Sequence, residues 1–220
     1  MTVVDLYIED LLAAFPELTD GTFTASQGSS VLYVTRQDPD GAGGLVPAVR
    51  LRNAREMPAV GLTIASDLPV YIEGEYNIWN GVKPAMVAGD AVTLLSRNWQ
   101  DARSTAATTV RISTNTTYNA VIFAGNHPTT PGVNYNGGLE NVLRLLEDWT
   151  GETLTFRGSI VDLWASEVAI GLWSGSYYDA PIRDFGYDNI YLLSAPPGIP
   201  QVFAVEQLNW SQSTWAAEGW

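Results

Sequence analysis

The chain has 220 residues, no cysteine, one histidine and a formal net charge of −13 at pH 7. A chain of this length can bury the core of a domain without cross-links, and the lack of cysteine excludes disulfides, thiolate metal sites and cysteine nucleophiles. The negative charge disfavours nucleic acid as a partner, because that affinity comes mostly from neutralising phosphates. No apolar run reaches the length of a transmembrane helix, so we expect no membrane span.

The composition favours strands over helices. Only 16% of the residues are charged, whereas 46% are hydrophobic and 11% are aromatic. Glycine, proline, serine, threonine and asparagine replace the missing charges, and these residues are typical of turns. Many aromatics with many turn formers predict an all-β architecture.

The first predicted element is a helix at the N-terminus. Apolar residues recur at a three-four spacing from Val4 to Phe15, and Pro16 ends the pattern. We expect residues 1–20 to cap the open end of one domain at 21–220, because exposed strand edges invite aggregation.

Short β-type runs follow this helix, bounded by Gly, Asn, Asp or Pro. The runs lie at residues 31–36, 46–51, 61–66, 69–74, 85–90, 91–96, 108–113, 119–124, 152–157, 159–164, 190–193 and 202–206. Several form couples whose breaks are too short for a helix and often lack the Asn-Gly or Asp-Gly signal of a tight hairpin. Such breaks fit the corners of a coil. The pattern therefore predicts an irregular parallel β-helix (β-solenoid), with a β-sandwich or barrel as the alternative.

One interior segment is predicted to form an inserted amphipathic helix. Five apolar residues would form one face within residues 138–149: Leu139, Val142, Leu143, Leu146 and Trp149. This face is large enough to cover the side or the end of a coil.

Six stretches, taken in order and spacing, resemble one family. They are 61–77 (GLTIASDLPVYIEGEYN), 83–96 (KPAMVAGDAVTLLS), 124–129 (AGNHPT), 135–141 (YNGGLEN) leading to 148–149 (DW), 154–159 (LTFRGS) and 196–200 (PPGIP). Together they resemble the C-terminal domain of bacterial pilus-assembly and prepilin-like (minor pilin-type) surface proteins, a domain of unknown function. The resemblance implies a β-solenoid on the cell surface, pilin-like subunits as partners and no established catalytic residues.

Acidic residues are the candidates for catalysis and for calcium binding. Glu73 and Glu75 lie two apart on a predicted strand, which would place them on one face about 7 Å apart. Paired carboxylates at that distance suit glycoside hydrolysis or calcium binding, and Asp162 is a third candidate for such an enzyme. A solvated acidic surface is the competing interpretation.

Metal and cofactor signals are weak. The densest acidic segment makes Asp184 and Asp188 the candidate calcium ligands, although their spacing does not match a calcium-binding loop. His127 precedes a proline without a nucleophile-elbow motif and is interpreted as a loop residue. No motif implies a cofactor, so we expect none.

Aromatic side chains are the remaining candidates for recognition. Exposed tryptophan and tyrosine can stack on sugar rings or anchor a protein partner, whereas buried ones pack in the core. The candidate contact residues are Tyr76, Trp79, Trp173, Tyr177 and Tyr178.

The leading hypothesis is a non-enzymatic extracellular structural or adhesive module of a type IV pilus-like (minor pilin) surface protein. Its partners would be other pilin-like subunits or surface proteins, and carbohydrate. One alternative is a carbohydrate-active β-helix enzyme, a polysaccharide lyase or hydrolase that uses Asp or Glu residues such as Glu73, Glu75 or Asp162. A self-assembling filament subunit is the other.

Overall fold

The structure is a computed structural model that describes residues 2–18, 30–36, 46–130, 132, 135, 137–171 and 175–200. The strands are β1 (Thr2–Tyr7), β2 (Val31–Val34), β3 (Pro47–Arg52), β4 (Leu62–Ser66), β5 (Val70–Glu73), β6 (Ala85–Gly89), β7 (Val92–Leu95), β8 (Thr116–Asn126), β9 (Leu143–Leu145), β10 (Thr153–Ala165) and β11 (Ile182–Gly186). The α-helices are α1 (Ile8–Ala14) and α2 (Ile190–Leu193). Single 3₁₀ turns lie at Pro16–Leu18, Asp101–Arg103, Thr108–Val110 and Gly138–Asn141.

The strands form two parallel sheets. One sheet has five strands in the order β1-β3-β5-β7-β9, and the other has six in the order β11-β10-β8-β6-β4-β2. From β1 to β10, each strand therefore lies in the opposite sheet from the strand before it. A short break such as the one between β4 and β5 carries the chain from one sheet to the other.

The prediction of an irregular parallel β-helix is wrong. The strands are parallel, but they divide into separate sheets of five and six strands, with few helices, instead of closing into a coil. The sequence could not separate these arrangements, because a short break between two apolar runs requires only that the chain turn there. Whether successive turns close a coil depends on pairing between residues that are distant in the chain.

The predicted inserted helix at 138–149 is also wrong. One 3₁₀ turn and the strand β9 occupy this segment, and β9 pairs with β7. Leucines at 143 and 145 fit a strand as well as a helix, and pairing with β7 satisfies the backbone groups of β9. Tertiary pairing has therefore overridden the helical spacing.

The N-terminal helix is shorter than predicted. Residues from Thr2 to Tyr7 form β1, which pairs with β3, and α1 begins only at Ile8. Ile8 is buried and Leu12 packs against the core, so the apolar face of the remaining helix is used. None of the helices in the described ranges has the length and apolar character needed to cross a membrane.

Three other predicted runs have different outcomes. The run at 108–113 contains the turn Thr108–Val110 instead of a strand, and the run at 190–193 forms α2. The run at 202–206 lies outside the described residues.

The core draws on both sheets. In the five-stranded sheet, Val49 stands beside Val70, and Val70 stands beside Val92. The six-stranded sheet supplies Ile64 and Ile122 to the same buried cluster. Side chains alternate between the two faces of a strand, so in the central strands one set of alternating residues is buried between the sheets.

Gly158 lies where the backbones of β10 and β8 leave no room for a side chain. It lies on β10 opposite Ala120 of β8 and has a φ of +144°. A Cβ atom at this position would lie 1.9 Å from the carbonyl oxygen of Ala120. Only glycine fits here, because both the backbone angle and the neighbouring carbonyl exclude a side chain.

We expect Gly158→Ala to lower the free energy of unfolding by about 2–4 kcal/mol, measured by urea denaturation. Gly151→Ala tests backbone strain alone, because Gly151 has a φ of +81° but no atom within 4 Å of the added Cβ. Its expected loss is about 1 kcal/mol. Gly171→Ala, in open space, should change stability by less than about 0.5 kcal/mol. Equal losses for Gly158→Ala and Gly151→Ala would contradict the steric explanation.

Candidate functional site

An open cleft of about 660 Å³ lies between α1 and the loops that follow β3 and β5. We call it the Trp79 cleft. Its polar and aromatic lining combines two carboxylates, an amide, a guanidinium group and an indole ring. These side chains belong to Glu9, Asn53, Arg55, Glu56 and Trp79.

Backbone hydrogen bonds hold the two loops against each other. The amide of Asn77 donates to the carbonyl of Ala54 at 2.8 Å. The amides of Ile78 and Trp79 both donate to the carbonyl of Arg55, at 2.8 and 2.9 Å. Because β3 and β5 are neighbours in one sheet, the loops at their carboxyl ends lie side by side and can form these bonds.

Asn77 fixes the conformation of the second loop. It is fully buried and has a φ of 55°, a left-handed conformation that asparagine tolerates better than most residues. Its Nδ2 donates to the carbonyls of Lys83 and Asn119, and its Oδ1 accepts from the amide of Lys83. The loop that carries Trp79 is therefore tied to both its own end and β8.

Trp79 is held in place but remains open to solvent. Its side chain is 53% exposed, and the Arg55 guanidinium lies 4.8 Å from its ring centroid. Arg55 also lies 3.5 Å from the carboxylate of Glu75, and Asn80 donates to Glu56. An oriented, half-exposed indole beside hydrogen-bonding groups is the arrangement that stacking on a flat ligand requires.

Three of the other predicted contact residues lie away from the Trp79 cleft. Tyr76 is fully buried in the core, so it cannot contact a ligand from solvent; burial raises its pKa well above the usual value for a tyrosine. Tyr177 and Tyr178 are half-buried, and Tyr178 packs against the core. Trp173 lies outside the described residues. Of the four candidates that the structure describes, only Trp79 lines the Trp79 cleft.

Glu73 and Glu75 do not share one face of a strand. β5 ends at Glu73, and Gly74 has a φ of +80°, so the two-residue spacing of an extended strand does not continue to Glu75. Glu73 forms ion pairs with Arg50 and Arg52, whereas Glu75 pairs with Arg55. Asp162 is exposed on β10.

Arg50 is the centre of an ionic network on the outer face of the five-stranded sheet. Its guanidinium is almost fully buried and donates to both carboxylate oxygens of Asp5 and of Asp101, at 2.6 to 3.0 Å. A third carboxylate, from Glu73, lies 3.1 Å away. The hydrogen bond from Arg50 lowers the pKa of Asp101. The residues of this network join β1, β3 and β5 to the turn after β7.

The candidate calcium ligands are engaged by the protein itself. Asp184 pairs with Arg157 at 2.8 Å, and the hydrogen bond from Arg157 lowers its pKa. Asp188 accepts hydrogen bonds from the Asn119 side chain at 2.6 Å and from the amide of Ile190 at 2.9 Å. Within the described ranges, no three His, Asp or Glu side chains converge as a metal site would require.

Glu147 is a buried carboxyl that sequence reasoning missed. It follows β9 and is fully buried, and Ser96 donates to its two oxygens through the amide and the hydroxyl, both at 2.6 Å. Burial raises the pKa of Glu147 to about 7. The spacing predicts an amphipathic helix whose apolar face does not include Glu147, so no sequence signal points to the burial of this carboxyl.

We expect Glu147 to make stability depend on pH. In the unfolded chain this carboxyl loses its proton near pH 4.5, whereas in the folded chain it keeps the proton until about pH 7. Its contribution therefore favours folding below pH 4.5 and is lost as the pH rises to 7, by about 3 kcal/mol.

Glu147→Gln should remove this loss. Urea denaturation from pH 4 to 8 should show the variant gaining stability relative to wild type as the pH rises. Glu140→Gln, at an exposed position, should follow the wild-type profile. A profile for Glu147→Gln that runs parallel to wild type would show that Glu147 does not titrate in this range.

No protein-family model, curated protein or solved structure matches this chain.

Proposed function

We propose that the chain is a non-enzymatic structural and adhesive module of a pilin-like bacterial surface protein, and that it binds carbohydrate in the Trp79 cleft. The observation that carries the carbohydrate proposal is the half-exposed indole of Trp79, held by Arg55 on two cross-bonded loops. The resemblance of residues 61–77 and five further stretches to prepilin-like proteins supports the surface role.

The chemistry of the cleft suits a sugar. An indole ring offers a flat apolar surface to the C–H face of a pyranose, and the side chains around it bond hydroxyl groups. Glu9 and Glu56 accept hydrogen bonds, Arg55 donates them, and Asn53 can do both. The volume of about 660 Å³ lies within the range of small-molecule sites and accommodates a disaccharide.

The charge of the cleft favours a neutral sugar. Two carboxylates, Glu9 and Glu56, face one guanidinium group, that of Arg55. An anionic sugar would be repelled by the excess carboxylate, and the negative charge of the whole chain adds to this repulsion. We therefore assign neutral disaccharides to the Trp79 cleft.

The architecture suits a protein module that exposes a ligand-binding site on its loops. Loops bind ligands well when a rigid scaffold positions them, and here neighbouring strands of one sheet anchor both loops. All but the last residue of β3 and every second residue of β5 are buried, and the ionic network of Arg50 ties both strands to β1 on their outer side.

Isothermal titration with cellobiose, lactose and diacetylchitobiose tests the carbohydrate proposal. We expect at least one of them to bind, and Trp79→Ala to weaken that affinity about tenfold by removing the stacking surface. Trp79→Phe should retain an intermediate affinity. Tyr33→Ala is the control, because Tyr33 is a similarly exposed aromatic, at 60%, on β2 of the other sheet.

Two outcomes would overturn the proposal for the cleft. One is that none of the three disaccharides binds to the wild-type chain. The other is that Tyr33→Ala weakens binding as much as Trp79→Ala does, because general surface hydrophobicity would then explain the affinity.

The surface role is tested separately by the gene that encodes the chain. We expect the full-length reading frame to encode a prepilin-type N-terminal helix upstream of residue 1, beside genes for pilus assembly. A reading frame that joins this chain to a cytoplasmic domain would contradict the surface role without affecting the carbohydrate proposal.

A further inference from the structure

A second cavity, of about 310 Å³, lies on the outer face of the five-stranded sheet. A row of three side chains forms its floor: Tyr71 on β5 stands beside Thr93 on β7, which stands beside Arg144 on β9. The segment after β10, including Ala169, and the half-buried Tyr177 complete the wall. We call this space the Arg144 cavity.

The loop that forms this wall is clamped by Asp90. One carboxylate oxygen of Asp90 accepts hydrogen bonds from the amides of Glu167 and Val168, and the other accepts from the amide of Ala169, at 2.5, 3.1 and 2.7 Å. The hydroxyl of Ser166 donates to the Asp90 carbonyl at 2.7 Å. The cavity therefore has a fixed wall, and the Asp90 carboxylate is already engaged by three amides.

Arg144 has an unused hydrogen-bond donor in this cavity. Its Nη2 donates to the carbonyl of Ala169 at 2.9 Å, but its Nε is buried and has no hydrogen-bond partner. Among the ion pairs of the described residues, none involves Arg144. A buried guanidinium donor without a partner is costly, so a ligand that accepts from it gains that free energy.

The same face of the sheet provides an internal comparison. Arg50 stands in register with Tyr71, in the row that ends at Arg144, and three carboxylates surround it. The hydrogen bonds that Arg50 donates to Asp5 raise the pKa of Arg50, whereas burial lowers the pKa of Arg144. Arg50 thus forms ion pairs with three carboxylates, whereas Arg144 forms none within the described part of the chain and interacts with the charge of Asp90 only from a greater distance.

We propose that the Arg144 cavity binds the carboxylate of a single sugar acid, a uronic acid. The planar guanidinium fork matches a planar carboxylate, which can accept from Nε and from a neighbouring N–H of the same group. The hydroxyls of Tyr71 and Thr93 can bond the ring hydroxyls of the sugar. A volume of about 310 Å³ lies at the lower end for small-molecule sites, which suits one ring.

This site is separate from the Trp79 cleft. The two cavities share no lining residue, and they differ in charge: the lining of the Trp79 cleft has an excess of carboxylate, whereas the described lining of the Arg144 cavity has a guanidinium group and no carboxylate. The chain would therefore hold a neutral sugar at one place and an acidic sugar at another. Either binding activity can fail without the other.

Titration with sodium glucuronate tests this assignment, with glucose as the matched neutral ligand because only the carboxylate differs. We expect glucuronate to bind with a Kd of about 1 mM and glucose to bind at least about tenfold more weakly. Arg144→Gln should weaken glucuronate binding about tenfold or more. Arg97→Gln is the matched control, since it removes one exposed guanidinium and changes the net charge equally.

Further variants keep the test decisive if Arg144→Gln does not fold. Arg144→Lys preserves the charge but not the planar fork, and Tyr71→Phe removes one hydroxyl; each should weaken glucuronate binding severalfold with an unchanged circular dichroism spectrum. Trp79→Ala should leave glucuronate binding unchanged. The assignment is overturned if glucose binds as well as glucuronate, or if Arg97→Gln loses as much affinity as Arg144→Gln.

Discussion

Parallel pairing in register is the constraint on which the rest of this structure depends. When neighbouring parallel strands pair without a shift in register, the side chains of paired residues form rows across the sheet. The inner row at Val49 and Val70 then packs into the core, and the outer row that runs from Asp5 through Arg50 to Arg144 carries charge. The core and both cavities are consequences of the same ladder.

The local sequence pattern predicts the positions of many strands, but it does not predict how those strands assemble into sheets. The runs at 46–51, 61–66 and 69–74 overlap β3, β4 and β5, because alternating apolar residues between turn formers are sufficient to mark a strand. The spacing of the leucines near 143 fits either a helix or a strand, and only the presence of β7 alongside decides the outcome. Closure of a coil likewise depends on pairing that no short stretch of sequence contains.

The candidate site was only partly predictable, because its residues also come together only when distant strands pair. An aromatic residue in a turn-rich stretch identified Trp79, but the same criterion selected Tyr76, which the turn at Asn77 leaves in the core. Arg55 gave no signal, because its contact with Trp79 exists only when β3 and β5 are neighbours. Whether the Nε of Arg144 finds a hydrogen-bond partner depends in turn on which residues face it across the sheet.

The Asp90 clamp joins positions that are 77 to 79 residues apart in the chain. Contacts of such separation carry a large cost in loop-closure entropy until the intervening strands have paired. β6, β8 and β10 are consecutive neighbours in the six-stranded sheet, so their pairing brings Asp90 and the 166–169 loop together. The wall of the Arg144 cavity is thus a late product of folding, and a molecule that fits the cavity would recognise only chains whose assembly is complete.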